Sequence, residues 1–435
     1  MQITTPRVRR AKWSSERAFI FATAAAAVGL GNIWRFPYIA GENGGAGFIF
    51  AYLVAVIVIG LPLMLVEISA GRVSNGGVVK TFRRLNKRAA WFGWLVVMLT
   101  LLIMSYYLVV TGWTLGYAVD SLRGSLRPFD EFTSGATPLF YFAVVVGITA
   151  FVVHRGVGFI ERMSKIMIPV LLLVILFMTG YSLTTPGAGE ALAFLFAPDF
   201  STLTSPVLWT LAFGQAFYSL AIGQGYLMTY GSFLPKKVNL PRATGTVAAI
   251  ETSIALIAGL MIFPIVFTFG LNPGQGTELT FASMPLAFGS MAAGEILAKV
   301  FFCLLFVAAI SPCIAGMSVV KTAMQEEMRL TKGWATVAAF LPMLPLGILS
   351  ALSFTPMELE VLGRPFLEVM DILTANQVVI FSGLVGGAIL SWSIPRRTFV
   401  NLFADKYRAL ASHTVLATRF LWIVVLGILG ASTLL

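Results

Sequence analysis

This chain reads as an all-α polytopic membrane protein, a 5+5 inverted repeat whose first helix is broken in each repeat, plus an eleventh span. Three features lead there. Of its 435 residues, 58% are hydrophobic and 11% charged, whereas a soluble domain carries about 25% charged residues. Apolar runs long enough to cross a bilayer, roughly 20 residues, recur eleven times. Two of those runs are interrupted by the same pattern, Ala27-Val28-Gly29-Leu30-Gly31 and Ala221-Ile222-Gly223-Gln224-Gly225, both A-[V/I]-G-x-G. Each glycine weakens a helix by roughly 1 kcal/mol, and a bare backbone N–H or C=O in lipid costs several kcal/mol. A break at membrane depth therefore persists only where the freed groups line a cavity and bind something. One Gly-x-Gly alone reads as close helix packing. A matched pair, one in each half, is the pattern of an inverted-repeat carrier with a midplane site.

Taken in order, residues 1–16 form a cytoplasmic basic tail with Arg7, Arg9, Arg10, Lys12 and Trp13. The first repeat covers 17–183, with spans at about 17–41, 47–71, 91–119, 137–153 and 162–183. The second covers 206–394, with spans at about 206–233, 243–270, 291–325, 334–353 and 373–394, and span 11 lies at about 416–434. Spans 1 and 6 hold the breaks. The Gly-rich link from Gly41 to Gly47 follows no strand and lacks Lys-Ser/Thr, so it is not a phosphate loop. Residues 72–90 form a strongly basic link, and the Gly/Pro-rich loop 271–290 is expected to carry a short surface helix.

Charge orients the chain. With the amino terminus in the cytoplasm, 25 of the 30 Lys and Arg residues fall on the inner side. The exceptions are Arg35, Arg123, Arg127, Lys299 and Arg364. The positive-inside rule is satisfied, which places the protein in the cell (inner) membrane with its carboxyl terminus outside. The net charge of +11 thus reflects topology and anionic lipid, not nucleic acid. The first apolar run continues far past the h-region of a signal peptide. Cys303 and Cys313 share one helix and His154 and His413 stand alone at segment ends, so neither a disulfide framework nor a metal cluster nor an enzyme's nucleophile constellation follows.

Polar residues at membrane depth are functional candidates. They are Arg35, Glu67, Glu251 and Asp371, the hydroxyls of Tyr107 and Tyr218, and the amides of Asn32 and Gln215. An oxygen-rich set without His or Cys suits hard cations. A broken helix adds carbonyls for a cation and a positive N-terminus for an anion. A carboxylate bound beside a small cation such as sodium matches both ends, and an amino acid is the simplest such ligand.

Val28-Gly29-Leu30-Gly31-Asn32-Ile33-Trp34-Arg35-Phe36-Pro37-Tyr38, followed by Glu42-Asn43-Gly44-Gly45, resembles the span 1 signature of the neurotransmitter:sodium symporter family. Pro62-Leu63-Met64 with Glu67 and Gly71-Arg72 is similar to its span 2, Tyr106-Tyr107 with Trp113-Thr114 to its span 3, and Gly214-Gln215 through Gly225 to its span 6. The likeness extends over spans 1–10, and eleven spans with short loops resemble the prokaryotic amino-acid branch. Its bacterial leucine transporter is a known example of broken helices around a midplane site. The resemblance implies one sodium ion on the carbonyls of Ala25 and Val28, and another on the carbonyl of Ala27, the side chain of Asn32 and the hydroxyl of Ser219. It implies a substrate carboxylate on the N–H groups of Leu30 and Gly31 and the hydroxyl of Tyr107, with Tyr218 as an aromatic lid. The substrate pocket is then formed by Ala27, Ile103, Tyr218, Ser219, Ala221, Gly223, Gln224, Cys313 and Gly316, of which Ala221, Cys313 and Gly316 are small and leave volume. Arg35 with Asp371 is implied as the outer gate, Arg10 with Glu326 as the inner gate, and Trp13 as the inner plug. Glu67 is expected to hold the frayed backbone of span 6, and Gly158 and Pro169 to allow span 5 to unwind.

Two positions depart from the family pattern. Glu251 stands where the family has Asn, and Ala255, one turn on, replaces the Ser of chloride-dependent members. An ionised Glu251 on sodium makes chloride unnecessary; the alternative is a protonated structural Glu. Ser311-Pro312-Cys313 stands where the family places two adjacent hydroxyls. Ser311 serves as one; Pro312 cannot serve, but it frees a carbonyl one turn earlier, at Ala308 or Ala309. The count of sodium ions is therefore one or two. The expected function is sodium-coupled uptake of a neutral, medium or large hydrophobic or aromatic amino acid by alternating access. The alternatives are proton coupling on the same fold, or a channel or amino-acid sensor without net transport. The expected partners are the amino acid and membrane lipid, in a monomer or weak homodimer.

Overall fold

The computed structural model describes residues 11–197, 200–235, 237–273, 281, 283–291, 293–403 and 407–432. Among these, eight helices are long and apolar enough to cross a bilayer. They are span 2 (Ala46–Ser74), span 3 (Lys87–Arg123), span 4 (Thr137–Arg155), span 5 (Val157–Ser182), span 7 (Leu240–Thr268), span 8 (Gly294–Glu327), span 9 (Lys332–Leu352) and span 10 (Phe366–Ser393). Glu16–Ala27 and Gly31–Glu42 make a ninth, span 1, bent by 52° at the first glycine pair. Pro206–Ser219 and Tyr226–Gly231 are the two pieces of span 6, and the last helix is Arg408–Ser432.

The spans start and stop where local chemistry asks. Ser15 and Asn239 accept from the N–H groups of Ala18 and Arg242 at 3.2 Å each, capping the first turns of spans 1 and 7. Span 2 ends on Asn75 and span 3 on Gly124, both in the left-handed conformation that closes a helix. Spans 3 and 8 are buried over 78% of their apolar windows, but spans 4 and 5 over only 39% and 33%. The first pair therefore stands at the centre and the second faces lipid. Spans 2 and 6 touch backbone to backbone: a Cβ on Gly71 would strike Met228, and one on Gly231 would strike Ile68.

Two connecting segments differ from expectation. The basic link carries a helix, Val78–Leu85, whose Val78, Val79 and Phe82 are buried while Arg83 and Arg84 close its last turn. The abundance of Lys and Arg obscured that short apolar face. The loop 271–290 does contain a short helix, Met284–Gly289, but it does not lie on the surface. Met284 and Phe288 are buried, and the ring of Phe281 inserts beside Trp34, Trp113 and Tyr117, with centroids 6.3, 5.8 and 5.5 Å away. Aromatic side chains are large apolar bodies, so this loop is drawn inward as a cover over span 1.

Candidate ion and substrate site between two interrupted spans

The first break begins where Val28 turns extended (φ −77°, ψ 117°) after donating its N–H to the carbonyl of Ala24 at 2.7 Å. The next two N–H groups leave the helix. Gly29 donates to Oδ1 of Asn32 at 3.1 Å, and Leu30 donates to the hydroxyl of Tyr107 at 2.9 Å. In a continuous helix those groups would serve Ala25 and Ala26. The half-helix Glu16–Ala27 consequently ends in carbonyls without helical donors, a concentration of partial negative charge. No side chain fits at Gly29, because the Tyr107 hydroxyl and the Pro312 ring fill the space.

The second break, Leu220–Gly225, uses Ala221, Gly223 and Gly225 at φ of +56°, +76° and +78°. Side chains from three other spans hold its peptide groups. Glu67 Oε1 accepts from Gly223 N–H at 2.8 Å, Ser382 donates to the Gly223 carbonyl at 2.6 Å, and Thr100 donates to the Gln224 carbonyl at 2.6 Å. Glu67 thus braces span 6, as expected of it.

Oxygen atoms gather at two points beside the first break. At one, Asn32 Nδ2 donates to Glu251 Oε1 at 2.6 Å and to the Glu251 carbonyl at 3.2 Å. Thr252 and Tyr52 donate to Glu251 Oε2 at 3.2 and 3.3 Å, and the Ser219 hydroxyl lies 3.4 Å from that of Tyr52. All five residues are buried. At the other, Ser311 donates to the carbonyls of Ala308 at 3.1 Å and Val28 at 3.4 Å. The Ala308 carbonyl is available because Pro312, four residues on, has no N–H. Ala25 and Ser311 line one cavity of about 10 Å³, together with Ser164 of span 5.

Between the breaks lies a cavity of about 20 Å³, space for about one water. Of the expected pocket residues, Ala27, Gly31, Ile103, Tyr107, Tyr218, Ser219, Ala221 and Gln224 line it. Cys313 and Gly316 stand behind that lining. Cys313 Sγ lies 3.3 Å from the Thr111 hydroxyl, and Gly316 backs onto Met104 and the Tyr226 hydroxyl. The volume expected from small residues is occupied by Met104 and Tyr226, which line the cavity and were not anticipated. Their one sequence signal was the position of Tyr226, immediately after the second break.

Closures stand on either side. Outward, the buried Arg35 donates to Gln215 Oε1 at 2.6 Å and lies 5.1 Å from the ring centroid of Tyr218. Asp371 is near enough for its charge to act on Arg35. Gln215 also donates to the Gly31 carbonyl at 2.7 Å, so it ties the outer half of span 1 to span 6. Inward, Trp13 is 2% exposed and donates through Nε1 to the Tyr230 carbonyl at 3.0 Å. Its ring meets those of Tyr230 and Phe233 edge-on. Ser14 adds a contact missing from the sequence reading: its N–H donates to Glu161 Oε2 at 2.9 Å and its hydroxyl to Oε1. Glu326 accepts from Gly77 N–H at 2.8 Å and lies 3.8 Å from Lys80. Arg10, its expected partner, lies outside the described residues. Below Trp13 opens a vestibule of about 1350 Å³.

A buried site framed by two interrupted spans and closed toward both faces is the design of a secondary transporter. The model of the Sodium:neurotransmitter symporter family matches residues 10–134 and 129–434, and the chain belongs to that family. It is 31% identical over 430 residues to an uncharacterized sodium-dependent transporter of Haemophilus influenzae, covering 93% of this chain and 94% of the relative. It is 33% identical over 402 residues to the uncharacterized sodium-dependent transporter YhdH of Bacillus subtilis, covering 88% and 87%. The crystal structure of MhsT in complex with L-phenylalanine matches with a TM-score of 0.91 and 34% identity, over 97% of this chain and 100% of that one. The chain is thus an integral, multi-pass, sodium-dependent transporter of the family's prokaryotic branch. Its relatives are carriers rather than enzymes.

Proposed function

We propose that this transporter takes up a neutral, medium or large hydrophobic or aromatic amino acid, without need of chloride. The single observation that carries the reading is the Asn32–Glu251 contact. It sets a buried carboxylate and an amide oxygen beside the Ala27 end of the first half-helix. There, Ala27, Asn32, Ser219 and Glu251 would receive one sodium ion, and the Glu251 charge does the work that chloride would otherwise do. Ala25, Val28, Ala308 and Ser311 would receive a second. The meeting of the Val28 and Ala308 carbonyls at Ser311 supports two ions rather than one.

The substrate carboxylate would take the place of the Tyr107 hydroxyl on Leu30 N–H, with Gly31 N–H beside it and Tyr107 turning to donate to it. The side chain would enter among Ile103, Tyr218, Ala221 and Gln224, and MhsT, bound to L-phenylalanine, supports an amino acid there. Sodium bound at the break favours the states in which Glu16–Ala27 is docked, and its loss on the cytoplasmic side favours release. In this reading, residues 17–183 and 206–394 are the two repeats, Arg408–Ser432 contains span 11, the amino terminus is cytoplasmic and the membrane is the inner one.

The test is uptake of labelled amino acids into proteoliposomes under a sodium gradient, a proton gradient or neither, in chloride and in gluconate. Accumulation that needs sodium and is equal in both anions is the expected result. Accumulation driven by protons alone, or rising steeply with chloride, overturns the assignment of Glu251. Binding without accumulation overturns uptake itself.

A further inference from the structure

The wall of the central cavity opposite the first break contains a phenol with no good partner. Tyr226 is 3% exposed and lines the cavity. It is the first residue of the half-helix Tyr226–Gly231. Its hydroxyl reaches across to span 8, where Gly316 leaves room for it; a Cβ there would stand 2.6 Å from the hydroxyl and 2.6 Å from Met104 Sδ. The one hydrogen bond it makes is to that thioether, at 3.9 Å. A thioether is a weak acceptor, and a poorly met buried polar group costs of order 1–3 kcal/mol.

The other polar groups nearby are committed. Gln224 donates to the Tyr218 carbonyl at 3.2 Å, Thr111 donates to the Tyr107 carbonyl at 2.7 Å, and Thr100 is bound to Gln224. Tyr107 is bound to Leu30 N–H. Tyr226 is therefore the polar side chain of the pocket whose bonding capacity is spent on the poorest acceptor. Met104 is also the lining residue best able to leave, being unbranched with three rotatable bonds.

We propose that Tyr226 is a specificity-determining residue that receives a hydrogen-bonding group at the end of the substrate's side chain, with Met104 as its placeholder in the closed, substrate-free cavity. This rests on the cavity being the amino-acid site. It narrows the substrate class to neutral amino acids carrying a hydroxyl, amide or indole N–H. A phenol both donates and accepts, so each of these groups suits it. A purely apolar side chain displaces Met104 and leaves the hydroxyl bare, and a site built to hydrogen-bond its ligand discriminates strongly against the analogue lacking the group.

The test uses near-isosteric pairs: tyrosine with phenylalanine, threonine with valine, glutamine with methionine. Binding to the purified chain is read by thermal stabilisation in sodium and in potassium. In the pair that fits best, the polar member should bind about tenfold tighter or more, and Y226F should narrow that ratio to below about threefold by weakening the polar member. M104L removes the resting acceptor and leaves the phenol in place, so the ratio should hold or widen. The proposal is overturned if the apolar member of every pair binds as well or better, if the ratio survives in Y226F, or if it collapses in M104L. Sodium-dependent binding of apolar amino acids alone defeats this subsite and leaves the carrier reading intact. Failure of every amino acid to bind in sodium defeats both.

Discussion

At Glu251 one carboxylate has three neighbours donating to it. Removing it in Glu251→Ala leaves buried donors of Asn32, Tyr52 and Thr252 unpaired, each worth about 1–3 kcal/mol, so that variant should lose sodium-dependent uptake and stability together. Glu251→Gln keeps the shape and loses only the charge. Its uptake should become stimulated by chloride, which wild-type uptake is not; transport in chloride against gluconate reads the difference. Ser311→Ala should raise the sodium concentration for half-maximal uptake about tenfold, the equivalent of one hydrogen bond to a charged ligand. A sodium titration that does not move would remove Ser311 from the ion path. Residues of this kind were legible because an ionisable or hydroxyl group at membrane depth stands out against an apolar background. Met104 and Tyr226 were not, because one more Met or Tyr in a chain with 17 and 11 of them carries no contrast.

At the scale of the element, the two glycine pairs did locate the breaks, since a helix in lipid has few other reasons to hold Gly-x-Gly at midplane. The reach of each break depended on more than glycine. Ala221, a residue with a side chain, sits at φ +56°, a strained conformation costing about 1–2 kcal/mol. It stays there because Glu67, Ser382 and Thr100 hold the peptides that follow. No local pattern could announce partners 156, 159 and 124 residues away. Gly223→Ala tests the element directly. A Cβ there meets the backbone of Gly383, and φ is +76°, so the melting temperature should fall by several degrees, as a loss of about 1–2 kcal/mol implies. Ala221→Gly relieves the strain at the same turn and should raise it. Equal effects of both would show that the turn is not held in this conformation.

Over the whole molecule, the closures at the two ends are built unlike one another, and that asymmetry has a consequence. The outer cover is a ring of aromatics brought by a loop, Phe281 against Trp34 and Trp113, above the Arg35–Gln215 bond. The inner closure concentrates on the few residues before span 1: Trp13 on Tyr230 and Phe233, Ser14 on Glu161, and Glu16 accepting from Asn239 N–H at 3.2 Å. The charge pattern foretold which end of the molecule is basic, but not that Phe281 folds inward, because a loop's docking depends on the surface that receives it. Truncating a buried Trp costs about 3–5 kcal/mol, and all of it falls on the closed inner state. At about 1.4 kcal/mol per tenfold, Trp13→Ala should shift the population toward inward opening by at least a hundredfold. A reporter lies in the right place: Ser164 lines the small cavity that also touches Ala25 and Ser311. In a Ser164→Cys background free of the two native cysteines, Trp13→Ala should speed thiol labelling from the amino-terminal face, and sodium should slow it again by re-docking the half-helix. Phe281→Ala should leave that rate unchanged or lower it, because it favours opening on the other face. If Phe281→Ala and Trp13→Ala both speed labelling of the introduced thiol, the two ends are not coupled through one rocking element, and alternating access would not describe this protein.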